Sequence, residues 1–232
     1  MSRSLSSLIS VLLLAVCTLS LSAADSAPAE RGAALAKRVA SACGIDAWGD
    51  LQRLRFTWNH VPSNRSRSYD WNVATGSVTV TTAGDSVVIP VDGPGADASE
   101  AATAAHKAFI NDSYWLMFPL RMAWDTDLSL EDRGVAAVPG IPALGECRHL
   151  AVTWPAEGGY TPGDRYVLYL GANDLPLAWS YYPGGADEPR ITTTRAEREM
   201  VAGLSLPTSF VRSDGTPFIT VTELSAETRA AP

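Results

Sequence analysis

The sequence predicts an α+β domain in which one large, curved, antiparallel β-sheet forms an open half-barrel and two helices cover one of its faces. Two observations lead to this fold class. Short segments with alternating apolar and polar residues follow one another along most of the chain, separated by turn sequences rich in Gly, Pro, Asn and Asp. Helical periodicity occurs at two positions only, which argues against a parallel sheet with a helix after each strand. A fully closed up-and-down barrel is the alternative architecture.

Residues 1–24 predict a secretory signal peptide. Arg3 provides a positive charge, residues 8–21 form an apolar run, and small residues offer a cleavage site after Ala24. The run is shorter than the roughly 20 apolar residues that a membrane-spanning helix needs, and polar residues follow it. We therefore expect a periplasmic or secreted protein that does not span the membrane after cleavage, with a single domain over residues 25–232.

The elements of the first half are predicted in order from their periodicity. Apolar residues at helical spacing predict the first helix over residues 31–41, and Gly44 ends it. From residue 51 the period changes to two, so that Leu54, Phe56 and Trp58 share one face of a strand over residues 51–60. The next strands of this half are predicted for residues 69–73, 78–80 and 86–91.

The second half begins with the second predicted helix. Asp97 and Glu100 form a capping-box-like start, and alanines together with Phe109 make a narrow apolar stripe. This pattern continues into the apolar segment of residues 114–120. Further strands are predicted for residues 148–154, 165–170, 177–182, 190–194, 209–212 and 218–224.

Charge and motifs exclude several classes of function. Without the signal peptide the chain has 17 basic and 25 acidic residues, a net charge of −8. Nucleic-acid binding requires clustered Lys and Arg, so we expect no nucleic-acid partner. The sequence contains no phosphate loop, dinucleotide fingerprint, zinc-protease motif or nucleophile elbow. We therefore predict a protein without a cofactor, a metal site or catalytic activity.

Two cysteines, Cys43 and Cys147, remain after signal cleavage. In an oxidising compartment an even number of cysteines predicts a disulfide. Closing a loop of this length would stabilise the fold by up to about 4–5 kcal/mol in the chain-entropy model. Two separately buried thiols are the alternative.

Aromatic residues are the distinctive feature of the composition. All seven tryptophans follow the predicted signal peptide, and most lie on predicted strands or in the apolar segment after the second helix. An aromatic core is one explanation. The other is a wide apolar pocket between the sheet and its covering helices, which would bind acyl chains by burial worth about 0.8 kcal/mol per methylene group. The residues expected to line or cap this pocket are Phe56, Trp58, Tyr69, Trp71, Trp115, Phe118, Trp154 and Trp179.

The order of these features resembles that of the periplasmic lipoprotein carriers, the LolA/LolB-like family. The resemblance rests on the N-terminal helix followed by Trp48 and the first long strand, and on the stretch RSRSYDW at residues 65–71. It also rests on the strand at residues 191–194, the GLSLP connection at residues 203–207 and the Asp214-Gly215 turn of the final hairpin.

This resemblance implies an open β-barrel that holds an apolar ligand in a hydrophobic cavity beneath a helical lid. The partner would be an apolar small molecule, a lipid or an acylated protein. In the carriers an arginine helps to latch the lid, and Arg65 or Arg67 is the corresponding residue here.

Two other functions are compatible with the sequence. A hydrolase would use His106 or His149 together with carboxylates, and would require these side chains to lie within hydrogen-bond reach of one another. An interaction module would fill its cavity with its own side chains and bind a partner through exposed loops or an apolar patch. The GGYTPGD loop at residues 158–164 is either a ligand-contacting loop or a connection in which Gly and Pro satisfy turn geometry.

Overall fold

A computed structural model of the chain describes residues 17–125, 127–158, 160, 162–195 and 197–230, with the backbone alone for residues 17–27. Residues 1–16 of the predicted signal peptide therefore lie outside the described residues, which begin at position 17. Helix α1 (Cys17–Ala42) starts there and extends beyond the predicted range of residues 31–41 in both directions. Helix α2 spans Glu100–Arg121. Neither of these helices, as far as they are described, is long and apolar enough to cross a membrane.

Strands make up most of the remaining described chain. They are β1 (Leu51–His60), β2 (Arg65–Asn72), β3 (Ser77–Thr82), β4 (Asp85–Pro90), β5 (Ser129–Ala137), β6 (Glu146–Thr153), β7 (Arg165–Leu170), β8 (Pro176–Tyr182), β9 (Ile191–Thr194), β10 (Arg198–Val201), β11 (Leu204–Pro207), β12 (Ser209–Val211) and β13 (Pro217–Thr228). Short 3-10 helices lie at Ile45–Asp50, Val61–Ser63, Pro142–Leu144 and Pro183–Gly185.

The strands form two large antiparallel sheets. The first sheet has the order β12-β13-β1-β2-β3-β4, and the second has the order β5-β6-β7-β8-β9. Strands β10 and β11 form a separate hairpin. Neither large sheet closes into a barrel, so the prediction of an open, antiparallel α+β fold is confirmed. The strands are divided between two sheets because β9 and the first sheet are joined by an isolated bridge, between Thr193 and Arg212, and not by a continuous ladder within the described residues.

The helices connect these sheets through packed apolar side chains. Helix α1 places Leu35 and Val39 against the inner face of the second sheet. Helix α2 lies between the sheets, since Phe109 and Met117 join the core of the first sheet whereas Phe118 joins that of the second. Burying both flanks of α2 explains why the apolar segment of residues 114–120 continues the helix rather than forming a separate loop.

Three local predictions differ from the structure. Ser99, not Asp97, caps α2, because its hydroxyl accepts a hydrogen bond from the backbone N–H of Ala102. Strand β5 lies where the acidic sequence gave no strand signal. Its charged residues are accommodated because the strand lies at the edge of the second sheet. The hairpin of β10 and β11 was not predicted either.

Both cysteines are free thiols in the structure, so the predicted disulfide between Cys43 and Cys147 is wrong. Cys43 packs in the core of the first sheet. Cys147 shares the outer face of β6 with Ala151, because side chains alternate between the two faces of a strand. The thiols are therefore in different hydrophobic clusters, as in the alternative of two separately buried cysteines.

Candidate functional site

A cleft of about 910 Å³ lies between α2, the inner face of the second sheet and the loop that follows β6. Its aromatic lining consists of Tyr114, Trp115, Trp124, Trp154, Tyr160, Tyr166, Trp179 and Tyr181. Its charged and polar lining includes Asp92, His106, Lys107, Asn111, Arg121, Asp125, Asp127 and Glu157. The cleft thus combines broad aromatic surfaces with polar groups.

The aromatic wall follows directly from strand pairing. Tyr166 of β7 stands opposite Tyr181 of β8, and their rings stack with centroids 4.9 Å apart. Trp179 lies two residues before Tyr181 on the same face, and its ring stacks on Tyr166 at 5.2 Å. Trp154, just after β6, meets Tyr166 edge-on at 5.4 Å. These rings form a continuous wall on the inner face of the second sheet.

Helix α2 supplies the opposite wall. Tyr114 follows Ile110, and Trp115 follows Asn111, by four residues, so these pairs lie one above the other on the helix. The Trp115 ring meets Trp179 edge-on at a centroid distance of 4.8 Å. The cleft is therefore bounded by aromatic rings from both a helix and a sheet.

Of the residues predicted to line the pocket, the structure brings Trp115, Trp154 and Trp179 together in this cleft. Phe118 does not line it. This side chain is fully buried behind the aromatic wall. The centroid of its ring lies 4.9–5.4 Å from those of Trp154, Tyr166 and Trp179. It supports the wall instead of contacting the open space.

The four predicted lining residues of the first sheet are also placed elsewhere. The side chains of Phe56, Trp58, Tyr69 and Trp71 are buried in the packed interior between this sheet and α2. Phe109 occupies the space that a pocket would need, since its ring lies 5.2 Å from Trp71 and 5.8 Å from Tyr69. The interior of the first sheet is therefore filled, and the open space lies on the other side of α2.

An ion pair between β2 and α2 distinguishes the two candidate latch arginines. Arg67 donates to both carboxylate oxygens of Asp112, with Nε–Oδ2 at 2.7 Å and Nη2–Oδ1 at 2.9 Å. Arg65 remains exposed and donates to Ser63. Only Arg67 therefore joins the sheet to the helix.

Asp112 is the centre of this network. Its side chain is 0% exposed, and it also accepts hydrogen bonds from the Tyr69 hydroxyl at 2.5 Å and the Asn111 amide at 2.8 Å. Burial raises the pKa of the carboxyl group, and the hydrogen bonds from Arg67 and Tyr69 oppose this shift. The network fixes α2 to the first sheet beside the cleft.

The two histidines of the hydrolase hypothesis do not meet. His106 lies beside the cleft, where Nδ1 is 2.7 Å from the Tyr160 hydroxyl and Nε2 is 3.1 Å from the Val91 carbonyl. His149 lies on β6, with Nε2 3.1 Å from the Ala136 carbonyl and its ring against Tyr169. Among the described residues, neither imidazole has a carboxylate partner, so the predicted acid–base arrangement is not formed.

The loop at residues 158–164 contains turn geometry and also borders the cleft, although Gly159 and Thr161 lie outside the described residues. Gly158 and Gly163 have φ angles of 84° and 72°, which satisfy turn geometry that other residues rarely adopt. Tyr160 lines the cleft and bonds to His106. Asp164 ends the loop by accepting from the Tyr181 hydroxyl at 2.8 Å.

A second polar cluster lies at the end of α2. The Tyr114 hydroxyl donates to Asp125 at 2.6 Å, and Arg121 forms an ion pair with the same carboxylate at 3.2 Å. Burial raises the pKa of Tyr114 to about 12. Sequence reasoning missed this cluster, although the apolar segment did include Tyr114. Within the described chain, no group of three or more His, Cys, Asp or Glu side chains could hold a metal ion.

No family model matches the chain, and no curated protein is significantly similar to it. The likeness to the lipoprotein carriers therefore remains a prediction from the residues of this chain.

Proposed function

We propose that the chain is an exported, non-catalytic binding protein that holds a lipid, the acyl chain of a lipoprotein or another apolar ligand in its aromatic cleft. The observation that carries this proposal is the cleft itself. Its volume of about 910 Å³ lies in the range of small-molecule sites, roughly 300–1,000 Å³. Its lining provides the extended aromatic surface that is typical of such sites, together with charged and polar groups.

The aromatic wall accounts for the apolar part of the ligand. The stacked rings of Tyr166, Trp179 and Tyr181 line the cleft with apolar surface that has no directional requirement. An acyl chain laid along it gains about 0.8 kcal/mol for each methylene group removed from water. The polar groups at the two ends of the cleft, around His106 and Arg121, suit a ligand that also has a polar portion.

The loop after β6 provides a route for entry. Tyr160 is 46% exposed, and its hydroxyl bonds to His106 at 2.7 Å. A single hydrogen bond contributes only about 0.5–1.5 kcal/mol net, so releasing this residue costs little. On the other side of α2, the Arg67–Asp112 pair holds the helix to the first sheet. The ligand would therefore enter beneath the loop, with α2 remaining in place.

A fluorescent acyl-chain probe tests this proposal. The protein is expressed with its own N-terminus, purified without detergent and titrated with the probe. Trp154→Ala removes a cleft ring and should weaken probe binding by about tenfold or more. Trp58→Phe changes an indole in the filled interior of the first sheet and should lower thermal stability while leaving the probe affinity unchanged.

Two results would contradict the proposal: absence of probe binding to the unaltered protein, or equal loss of affinity in both variants. Native mass spectrometry of the same preparation adds an independent measurement. A co-purifying mass that disappears on organic extraction and returns on addition of lipid would identify the class of the ligand.

The packed interior of the first sheet favours a second candidate function, the interaction module. The aromatic residues Trp58, Tyr69 and Trp71 would then be ordinary core, and exposed loops would bind a protein partner. A chain that shows neither a co-purifying mass nor a response to the probe would make this candidate the better one.

A further inference from the structure

Arg195 is a buried cation without a matching anion. Its residue is 1% exposed, and no Asp or Glu of the described chain forms an ion pair with it. Neither Nε nor Nη1 has a hydrogen-bond partner among the described residues. Nη2 lies 3.5 Å from the Leu116 carbonyl oxygen, at the limit of a hydrogen bond.

The guanidinium lies directly behind the cleft. Its central carbon is 5.1 Å from the ring centroid of Trp179 and 5.2 Å from that of Phe210. Trp115 contacts both of these rings, with centroid distances of 4.8 and 5.2 Å. Because Trp115 and Trp179 line the cleft, Arg195 packs against a ring of the cleft wall.

Such a placement is unfavourable for the protein on its own. Removing a charge from water without an ionic partner costs several kcal/mol, and contacts with aromatic faces recover only part of this cost. Burial, together with the nearby charge of Arg198, lowers the pKa of Arg195 to about 9, so the side chain stays protonated at neutral pH. The free protein therefore keeps two guanidinium nitrogens of a buried cation, with three N–H donors between them, without a hydrogen-bond partner among the described residues.

We propose that Arg195 binds the anionic group of an amphipathic ligand, a carboxylate or a phosphate, when Trp115 moves aside. The site rests on the function proposed above and specifies the ligand class as an anionic single-chain amphiphile. The oxyanion accepts hydrogen bonds from the Nε–Nη2 edge of the guanidinium, the same edge that Arg67 presents to Asp112, and the acyl chain extends along Trp179 and Tyr166. Binding then gives Nε the partner that it lacks in the free structure.

Matched single-chain ligands test this assignment in the full chain. Oleate, oleyl phosphate and oleyl alcohol differ in the head group alone, and their affinities can be measured by displacement of the fluorescent acyl-chain probe. Charge-assisted hydrogen bonds should make at least one of the two anions bind about 10- to 100-fold more tightly than the alcohol. The preferred anion distinguishes a carboxylate ligand from a phosphate ligand.

Arg195→Met should abolish this preference, leaving the affinity for oleyl alcohol within about threefold of the unaltered protein. Its thermal midpoint should be equal or higher, because the substitution removes an uncompensated buried charge. Arg133→Met is the matched control, since Arg133 is exposed and pairs with Glu131 on the surface; it should retain the preference. Arg195→Gln, which is also uncharged, provides a second test of the same loss.

The outcomes separate the two proposals. If the unaltered protein binds none of the three ligands, the proposed function itself fails. If it binds anions and alcohol equally, the assignment of Arg195 is overturned while the cleft remains a binding site, and this comparison requires no variant. Retention of the anion preference in Arg195→Met, or a marked loss of stability in that variant, would likewise show that the guanidinium is a structural group.

Discussion

Replacing Arg67 by Met tests the connection between the first sheet and α2. The substitution keeps an unbranched side chain of similar reach but removes both hydrogen bonds to Asp112, whose side chain is 0% exposed. The carboxylate then keeps only the hydroxyl of Tyr69 and the amide of Asn111 as donors. The variant therefore leaves a buried charge without its counter-ion.

The expected cost follows from this burial. Removing one partner of a buried ion pair destabilises a protein by about 3–5 kcal/mol. Loss of the cation–π contact between Arg67 and Trp58, at 4.6 Å, adds about 0.5–1 kcal/mol. Protonation of Asp112 offsets part of the loss, because burial already raises the pKa of this carboxyl group. We therefore expect a total near the single-partner value, about 3–5 kcal/mol.

Urea denaturation followed by circular dichroism measures this difference in unfolding free energy. The midpoint should fall with little change in the slope, since the surface exposed on unfolding stays the same. Arg65→Met is the matched control, because Arg65 lies on the same face of β2 but is exposed and contacts Ser63. It should change stability by no more than about 0.5 kcal/mol.

The double variant Arg67→Met/Asp112→Asn completes the cycle. Removing the charge from both partners should recover much of the stability lost in Arg67→Met, because the cost comes from the uncompensated carboxylate. Equal effects of Arg67→Met and Arg65→Met would refute the reasoning. So would strictly additive effects of the two substitutions, since residues in one ionic network should be coupled.

Two further predictions concern titratable groups. Burial lowers the pKa of His149 below its ordinary 6.5, so the unfolded chain binds this proton more tightly than the folded chain. The contribution of the neutral imidazole to stability is complete above pH 6.5 and is lost as the pH falls towards the folded pKa. The His149→Gln substitution should therefore reduce the decline of the thermal midpoint between pH 7 and pH 5. A decline equal to that of the unaltered protein would contradict this prediction. Burial also raises the thiol pKa of Cys43 and Cys147. Neither should react with a thiol reagent in the native state, and both should react in urea without a reductant, whereas a disulfide would leave both unreactive.

Much of the fold could be predicted from local patterns. Alternation with period two placed β1 at residues 51–60, the range found in the structure, and located most of the other strands within a few residues. The same period puts Arg65, Arg67 and Tyr69 on one face of β2. Strand β5 was not predicted because its charged residues carry no apolar signal. Its position is determined by hydrogen-bonded pairing with β6, which the pattern of its own residues does not reveal.

The sequence by itself determined the fold class, most strand positions and the face of its strand on which each side chain lies, because these depend on residues close together in the chain. Only the tertiary structure decided what meets each face. In it, Arg67 pairs with Asp112, Phe109 fills the space between the first sheet and α2, and the cleft lies on the opposite side of α2. It also enclosed Arg195 behind the aromatic wall. The physical reason is that pattern reveals which residues avoid water, whereas their packing partners depend on contacts between residues far apart in sequence.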